Sequence, residues 1–428
     1  MKQLLPFSKS AGQDLRMISN YGKHSFFLAD GKEIFDAQSG NGAFPLGFDC
    51  PELVNFVADN IKRVPFVRAN NSTTSDPVLE LNAKFKALSK NKFTHVFYGL
   101  GGSDSIETAM KMAISYWKSK NVGTKNKFIS FLHGYHGSTF ASGSATGIKN
   151  FHRPFRNTLP LSWTLHANQP RWFGIKSPQE IEQIENTSLT ELEAMIQAEG
   201  PDQIAAIIKE PFSWQSGVHP PSQQYYKKLR ALCDQYEILL IVDDVCTGAG
   251  KLGTYFGAEW MGIDCDISCN AKGISAGFFP LSATFCNEKV GEALYDSHFI
   301  HGWTYSPPMT GVFSALKAIE LLEQNNSLQR ANGIQAKVSV CADRLLKKGL
   351  INGFRAQGVF CGMDIENELA KSKIELILWE HGVQMSCYRF DPVLRTILAL
   401  SITDQEIESL FQTLEKVLAD ELAKVIKK

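Results

Sequence analysis

Ile238-Leu-Leu-Ile-Val-Asp243-Asp244 is the stretch on which the fold turns. Its uninterrupted apolar run, Ile238 to Val242, predicts a strand buried on both faces, as in a parallel sheet covered by helices. Asp243 closes the run. A carboxylate at the C-terminal end of such a strand sits where open α/β sheets bind ligands. Upstream, Gln223 to Gln235 reads as the helix that feeds the strand.

The same alternation extends outward from about residue 75 to 295. Pro77–Leu88 and Ser103–Trp117 carry helical periodicity, and Val96–Tyr98, Phe128–Leu132, Ile204–Ile208 and Phe279–Phe285 read as strands. The polar stretch Ser177 to Thr190 reads as a loop and helix start. The pattern predicts an α/β fold with one large, mostly parallel central sheet between helices. Before it, Ser25 to Asp36 reads as two short strands around an Asp30-Gly31 turn, followed by the glycine-rich loop Ser39 to Gly47. After Pro307-Pro308, Met309–Gln324, Ile374–Glu380 and Asp404–Leu418 read as helices. Val359–Ile365 alternates like an exposed-face strand. Residues 1–60 and 309–428 are therefore expected to form a smaller α+β domain together, and 61–308 the large one.

The chain has 428 residues, 44% apolar, with 44 Lys plus Arg against 44 Asp plus Glu. That suffices for at least two cores. The balanced charge offers no stripe for nucleic acid and no basic face for a membrane. No apolar run approaches a transmembrane length, and Met1-Lys-Gln-Leu-Leu-Pro6 is too short in apolar residues for a signal peptide. The nine scattered cysteines lack zinc-ribbon spacing and read as reduced thiols, so a cytoplasmic protein without a metal site is expected.

Three segments carry candidate chemistry. Tyr98-Gly-Leu-Gly-Gly102-Ser103-Asp-Ser-Ile-Glu107 joins a strand to a helix, and the open amides of a helix start, with its dipole, favour an anion such as phosphate. It has neither the lysine of a nucleotide P-loop nor the glycine spacing of a dinucleotide fold. Read alone, it is equally a turn with Ser103 as N-cap. Tyr135-His136 follows the next strand, where Tyr135 offers a ring face and His136 a proton carrier or a hydrogen-bond partner. Lys272 stands in the small-residue segment Asn270-Ala-Lys-Gly-Ile-Ser-Ala-Gly277, 28 residues after Asp244. A carboxylate that keeps a pyridine nitrogen protonated and a partly desolvated lysine that forms an imine are the two groups pyridoxal phosphate chemistry needs.

In that order and spacing the motifs resemble one family: the class III pyridoxal-phosphate-dependent aminotransferases, the ω-aminotransferase group of fold type I. The resemblance covers nearly the whole chain. It rests on Asp30-Gly-Lys-Glu33, Gly102 to Lys111, Tyr135-His-Gly-Ser-Thr139, Glu210-Pro211, Ile241 to Gly253, Ala271-Lys-Gly273, His301-Gly-Trp-Thr-Tyr-Ser306, and Leu394-Arg395 with Ser401-Ile-Thr403. It implies transamination between an amino donor, an ω-amine or amino acid, and a keto acid acceptor. An aminomutase of the glutamate-1-semialdehyde type or a non-catalytic dimeric scaffold are the alternatives. It implies that Lys272 carries pyridoxal 5′-phosphate and moves protons, and that Asp243 binds the ring nitrogen. Gly102 and Ser103 would hold the phosphate, Tyr135 and Val245 would sandwich the ring, and His136 would border it. Thr304 would reach the phosphate bound by the neighbouring subunit, which implies a homodimer with shared sites. Glu210 and Trp214 would face substrate, and Arg389 and Arg395 are the candidates to grip a substrate carboxylate. The chain departs from the family pattern at Asp244, at Phe212-Ser-Trp-Gln215, at Lys251 and at Leu398-Ala-Leu400. These departures leave the substrate open.

Overall fold

The structure, a computed structural model, describes residues 15–69, 72–155, 158–371, 373–388 and 391–426, with Leu4 and Pro6. Strands β1 (Ile18–Tyr21), β2 (Ser25–Leu28) and β3 (Glu33–Asp36) form an antiparallel meander. The β2–β3 turn falls at Asp30-Gly31, where Asp30 Oδ1 accepts from Lys32 N at 3.0 Å and Gly31 adopts φ +86°. That is the expected Asx-type turn chemistry.

Strands β4 (His95–Gly99), β5 (Lys127–Phe131), β6 (Thr164–Ala167), β7 (Ile204–Lys209), β8 (Leu239–Asp243), β9 (Ile267–Asn270) and β10 (Ser282–Cys286) make the large sheet. Among the described residues its order is β4-β10-β9-β8-β7-β5-β6. β10 runs antiparallel to both neighbours, and the pairings from β9 through β6 are parallel. β8 lies at the centre, and all its residues are buried. Leu239 and Ile241 join the cluster of the helix Gly102–Ser119, whereas Leu240 and Val242 join that of the helix Gln223–Gln235. Two covered faces are the reason the sequence runs apolar without alternation.

Further on, β11 (Gly353–Gln357), β12 (Phe360–Asp364), β14 (Ser386–Tyr388) and β15 (Val393–Ile397) form an antiparallel sheet ordered β11-β12-β15-β14. β13 (Val383–Gln384) instead pairs in parallel with β3, Val383 opposite Phe35 and Gln384 opposite Asp36. Residues from near both ends of the chain thus share one sheet.

Two expectations need correction, and one strand was not expected. β12 has no exposed face, because every residue in it is buried. Phe212 packs edge-on against Phe360 with ring centroids 5.3 Å apart, and the polar position Asp364 is taken by a bidentate ion pair with buried Arg355 at 2.6 and 2.7 Å. The stretch after Ser177 is no loop but a helix, Pro178–Glu199, closed at its start by a capping box between Ser177 and Glu180. Ile267-Ser-Cys-Asn270 is a strand although polar, since Ser268 and Asn270 are fully buried beside β8 and β10.

The C-terminal ends of β5, β7, β8 and β9 point to one edge of the sheet. The loops that follow them, with the helix that follows β4, bring the candidate residues together there.

Candidate active site

Asp243 ends β8, opposite Cys269 of β9, and is 4% exposed. Its Oδ1 accepts from Val245 N at 3.1 Å, and its Oδ2 lies 2.7 Å from Nδ1 of His136, which is also buried. His136 arrives on the loop after β5, two strands away. That loop is fixed in turn by Thr146, whose Oγ1 accepts from His136 N at 2.9 Å and donates to Gly137 O at 2.8 Å. A buried carboxylate persists only when such partners replace its water. The imidazole therefore sets the direction in which Asp243 presents its charge.

Asp244 has a different task. Its carboxylate accepts from Thr247 Oγ1 at 2.7 Å and Gly257 N at 2.5 Å, bracing the loop after β8, and burial lifts its pKa to about 6.

Lys272 opens the tight turn that follows β9 and holds φ +51°, a left-handed conformation that costs a non-glycine residue about 1–2 kcal/mol. It is half-buried. Beneath the turn lies the buried Lys251, whose Nζ donates to Gly42 O at 3.0 Å. A Cβ on Gly273 would come within 2.8 Å of that Nζ and 3.1 Å of Ala249 Cβ, so the turn packs closely over Lys251. Burial lowers the Lys251 pKa to about 8. Half-buried Cys246 adjoins both lysines. Burial pushes its thiol up, and the two positive charges pull the other way. The turn Ser39–Gly42, expected as a glycine-rich loop, thus reaches the floor of the site.

At the other end, the helix Gly102–Ser119 begins one residue earlier than Ser103, with Gly101 as N-cap. The Asp104 carboxylate accepts from Leu100 N at 2.7 Å and Gly101 N at 3.0 Å. The amides of Gly102 and Ser103 are left without intrahelical acceptors, as an anion site needs. A Cβ on Gly102 would fall 2.7 Å from Val245 Cγ1, so this helix start touches the residue that follows the Asp243 pair. Ser103 Oγ accepts from Ser138 N at 3.2 Å. Tyr135 is half-buried, and its ring meets Phe151 edge-on at 5.8 Å.

Glu210, after β7, is buried and accepts from Tyr135 N at 3.3 Å. Burial raises its pKa above the usual carboxylate range, and Asp243 adds to the rise against the pull of His136. Buried Lys209 donates to Glu210 O at 2.8 Å. Arg395, on β15, is 4% exposed and stacks 4.5 Å over the Trp214 ring. One guanidinium nitrogen donates to Trp214 O at 3.1 Å and to Gln215 O at 2.9 Å, so this arginine braces the loop after β7. Trp214 Nε1 is buried and has no hydrogen-bond partner among the described residues. Arg389 lies outside the described residues.

Thr304 stands apart from this group, exposed on the loop before the helix Met309–Gln324. That loop is tied back to the phosphate-end helix. His301 Nε2 lies 2.8 Å from Thr108 Oγ1, and Ser306 Oγ donates to Tyr98 O at 2.6 Å.

The sequence reading missed Thr146, which shows no pattern at all. Glu107 has no motif of its own, but it follows Ser103 by four residues and so shares its helix face. Among the described residues, no group of His, Cys, Asp and Glu is arranged to hold a metal ion, and no helix is long and apolar enough to cross a membrane.

An anion seat at a helix start and a histidine-paired carboxylate, bridged by Val245 and flanked by a lysine turn, are the donor set for a phosphorylated pyridine. The fold and these residues fit the pyridoxal-phosphate enzymes of fold type I. The family model for class-III aminotransferases matches residues 11–418, and the chain belongs to that family. It is 32% identical over 304 residues to an uncharacterized aminotransferase of Sinorhizobium fredii, a match covering 70% of this chain and 65% of that one. It is 28% identical over 366 residues to a putrescine–pyruvate aminotransferase of Pseudomonas aeruginosa, covering 84% and 78%. The omega transaminase from Pseudomonas jessenii in complex with PMP superimposes with a TM-score of 0.91 at 26% identity, over 98% and 96% of the two chains. The chain spans about two thirds of the length of the first curated relatives it matches.

Proposed function

We propose that this chain catalyses transamination between an amino donor, an ω-amine or amino acid, and a keto acid, as a cytoplasmic homodimer with shared sites. The observation that carries the reading is the buried Asp243–His136 pair on the sheet edge beside the Lys272 turn. Bound pyridoxal phosphate supplies an aldehyde that condenses with amines and a ring that accepts the electron pair released at the substrate's Cα. Lys272 would hold the cofactor between turnovers, then take the Cα proton and return it two atoms along, at the former aldehyde carbon. Asp243 faces the ring nitrogen and keeps a proton there, with His136 fixing its direction. Gly102 and Ser103 hold the phosphate, and Tyr135 and Val245 border the ring. Glu210 and Trp214 face the substrate, and Arg389 or Arg395 receives its carboxylate. The free thiols of the nine cysteines support a reducing compartment.

The test is a half-reaction screen. The protein loaded with pyridoxal phosphate is mixed with a panel of ω-amines and amino acids, and the long-wavelength cofactor absorbance is followed. It should fall with at least one donor and return when pyruvate or another keto acid is added. A spectrum that no donor changes would overturn the proposal.

The dimer reading has its own support in the exposed side chains around Thr304. Ile300 is 86% and Tyr305 59% exposed, as expected of a surface that a second copy covers. Chains with Lys272→Ala and chains with Thr304→Arg should each be inactive. Mixed and allowed to exchange, they should regain activity, because one of the two sites in each heterodimer draws an intact Lys272 and an intact Thr304 from different chains. Verified heterodimers with no recovered activity would refute the placement of Thr304.

A further inference from the structure

Glu107 sits one helical turn after Ser103, on the side of the helix that meets the loop leaving the ring-side segment. Its Oε1 gathers three donors: Thr139 Oγ1 at 2.5 Å, Ala141 N at 3.0 Å and Ser142 N at 3.1 Å. Just before this clamp the chain doubles back at Gly137, which has φ +130°. A Cβ there would lie 2.4 Å from Ser142 Oγ and 2.6 Å from Ser103 Oγ. The doubled-back chain brings Ser138 N to within 3.2 Å of Ser103 Oγ. Thr139 N also donates to Ser142 Oγ at 3.2 Å, which closes the turn.

Two walls therefore meet at the anion seat. One is the helix start, Gly102 and Ser103. The other is the segment Ser138–Ser142, fastened to the first by one Glu107 carboxylate oxygen that takes three donors and by the Ser138 N to Ser103 Oγ bond. A carboxylate near a phosphate seat is unfavourable by charge alone, by Coulomb repulsion of the anion. Two amides and a hydroxyl directed at it offset that charge, and charge-assisted hydrogen bonds of this kind are the stronger ones.

We infer that Glu107 is a positioning residue: it sets the second wall of the phosphate seat by clamping Ser138–Ser142 to the helix. The inference rests on the proposed pyridoxal phosphate reading. It concerns where the phosphate is gripped and leaves the ring-end contacts untouched.

The test uses the full chain stripped of cofactor and titrated separately with pyridoxal phosphate and with pyridoxal, which lacks the phosphate. Glu107→Ala should weaken pyridoxal phosphate binding about tenfold, the scale of a lost charged hydrogen-bond set, while pyridoxal affinity changes less than about twofold. Glu107→Gln keeps an oxygen in place for all three donors and should stay within about threefold of the parent for both ligands. Thr139→Val removes one donor and should show a smaller loss confined to the phosphorylated ligand. It carries the test if Glu107→Ala does not fold. Equal weakening of both ligands, no weakening of either, or a Gln variant as poor as Ala would overturn the clamp while leaving the transaminase reading intact. A parent protein that takes up no pyridoxal phosphate would overturn both.

Discussion

Replacing Asp243 by asparagine should lower turnover by roughly three orders of magnitude while the fold survives. The scale is that of removing a preorganised electrostatic contact realised mainly in the transition state. Asparagine has nearly the same volume. Its oxygen can accept from either Val245 N or His136, the two partners of the native carboxylate. One hydrogen bond at a 4% exposed position is lost or weakened, which costs stability about 1 kcal/mol. The charge is lost completely, and with it the reason for a proton to remain on the ring nitrogen while electron density moves toward the ring. Steady-state kinetics with the best donor from the half-reaction screen, beside a thermal melt, separates the two effects. Near-normal turnover with an unchanged melt would show that the ring is not held in the way proposed.

Lys272→Ala should be more severe still, with turnover falling by at least roughly four orders of magnitude, because one side chain supplies both the covalent seat and the proton transfers. Binding of pyridoxal phosphate should persist, since the helix start at Gly102 and the Asp243–His136 pair are separate from the turn that Lys272 opens. The left-handed φ at position 272 is as available to alanine as to lysine, so little change in the melt is expected. A variant that retained turnover would place the reactive amine elsewhere. Lys251 is the nearest alternative, buried beneath the same turn with its Nζ on Gly42 O.

Much of this was legible in the chain because the relevant forces are local. The helices Gln223–Gln235, Met309–Gln324 and Ile374–Glu380 fall where the sequence ends them, since helical periodicity stops abruptly at each. β8 was visible as an apolar run because both of its faces are covered. β9 was not, because its buried serine and asparagine mimic a loop. The helix Pro178–Glu199 is polar over most of its length, and only its capping box announced it.

The site divides in the same way. Asp243 marks itself by ending an apolar strand, and Lys272 by the small residues around it. The Asp243–His136 bond, the Arg395 bonds to the loop after β7 and the Glu107 clamp join segments 107, 180 and 32 to 35 residues apart. No local pattern encodes those pairings. Arg395 is an example: its sequence position marks it for a carboxylate, and only the folded chain reveals that it also stacks on Trp214 and bonds the loop after β7.

The most direct test is to load the protein with pyridoxal phosphate, reduce it with borohydride, digest it and map the pyridoxyl group. The label should sit on Lys272 alone, in the peptide containing Asn270-Ala-Lys-Gly273. A label on Lys251, on Lys209 or on any other lysine, or no label at all on a protein that has bound the cofactor, would contradict the assignment of the site.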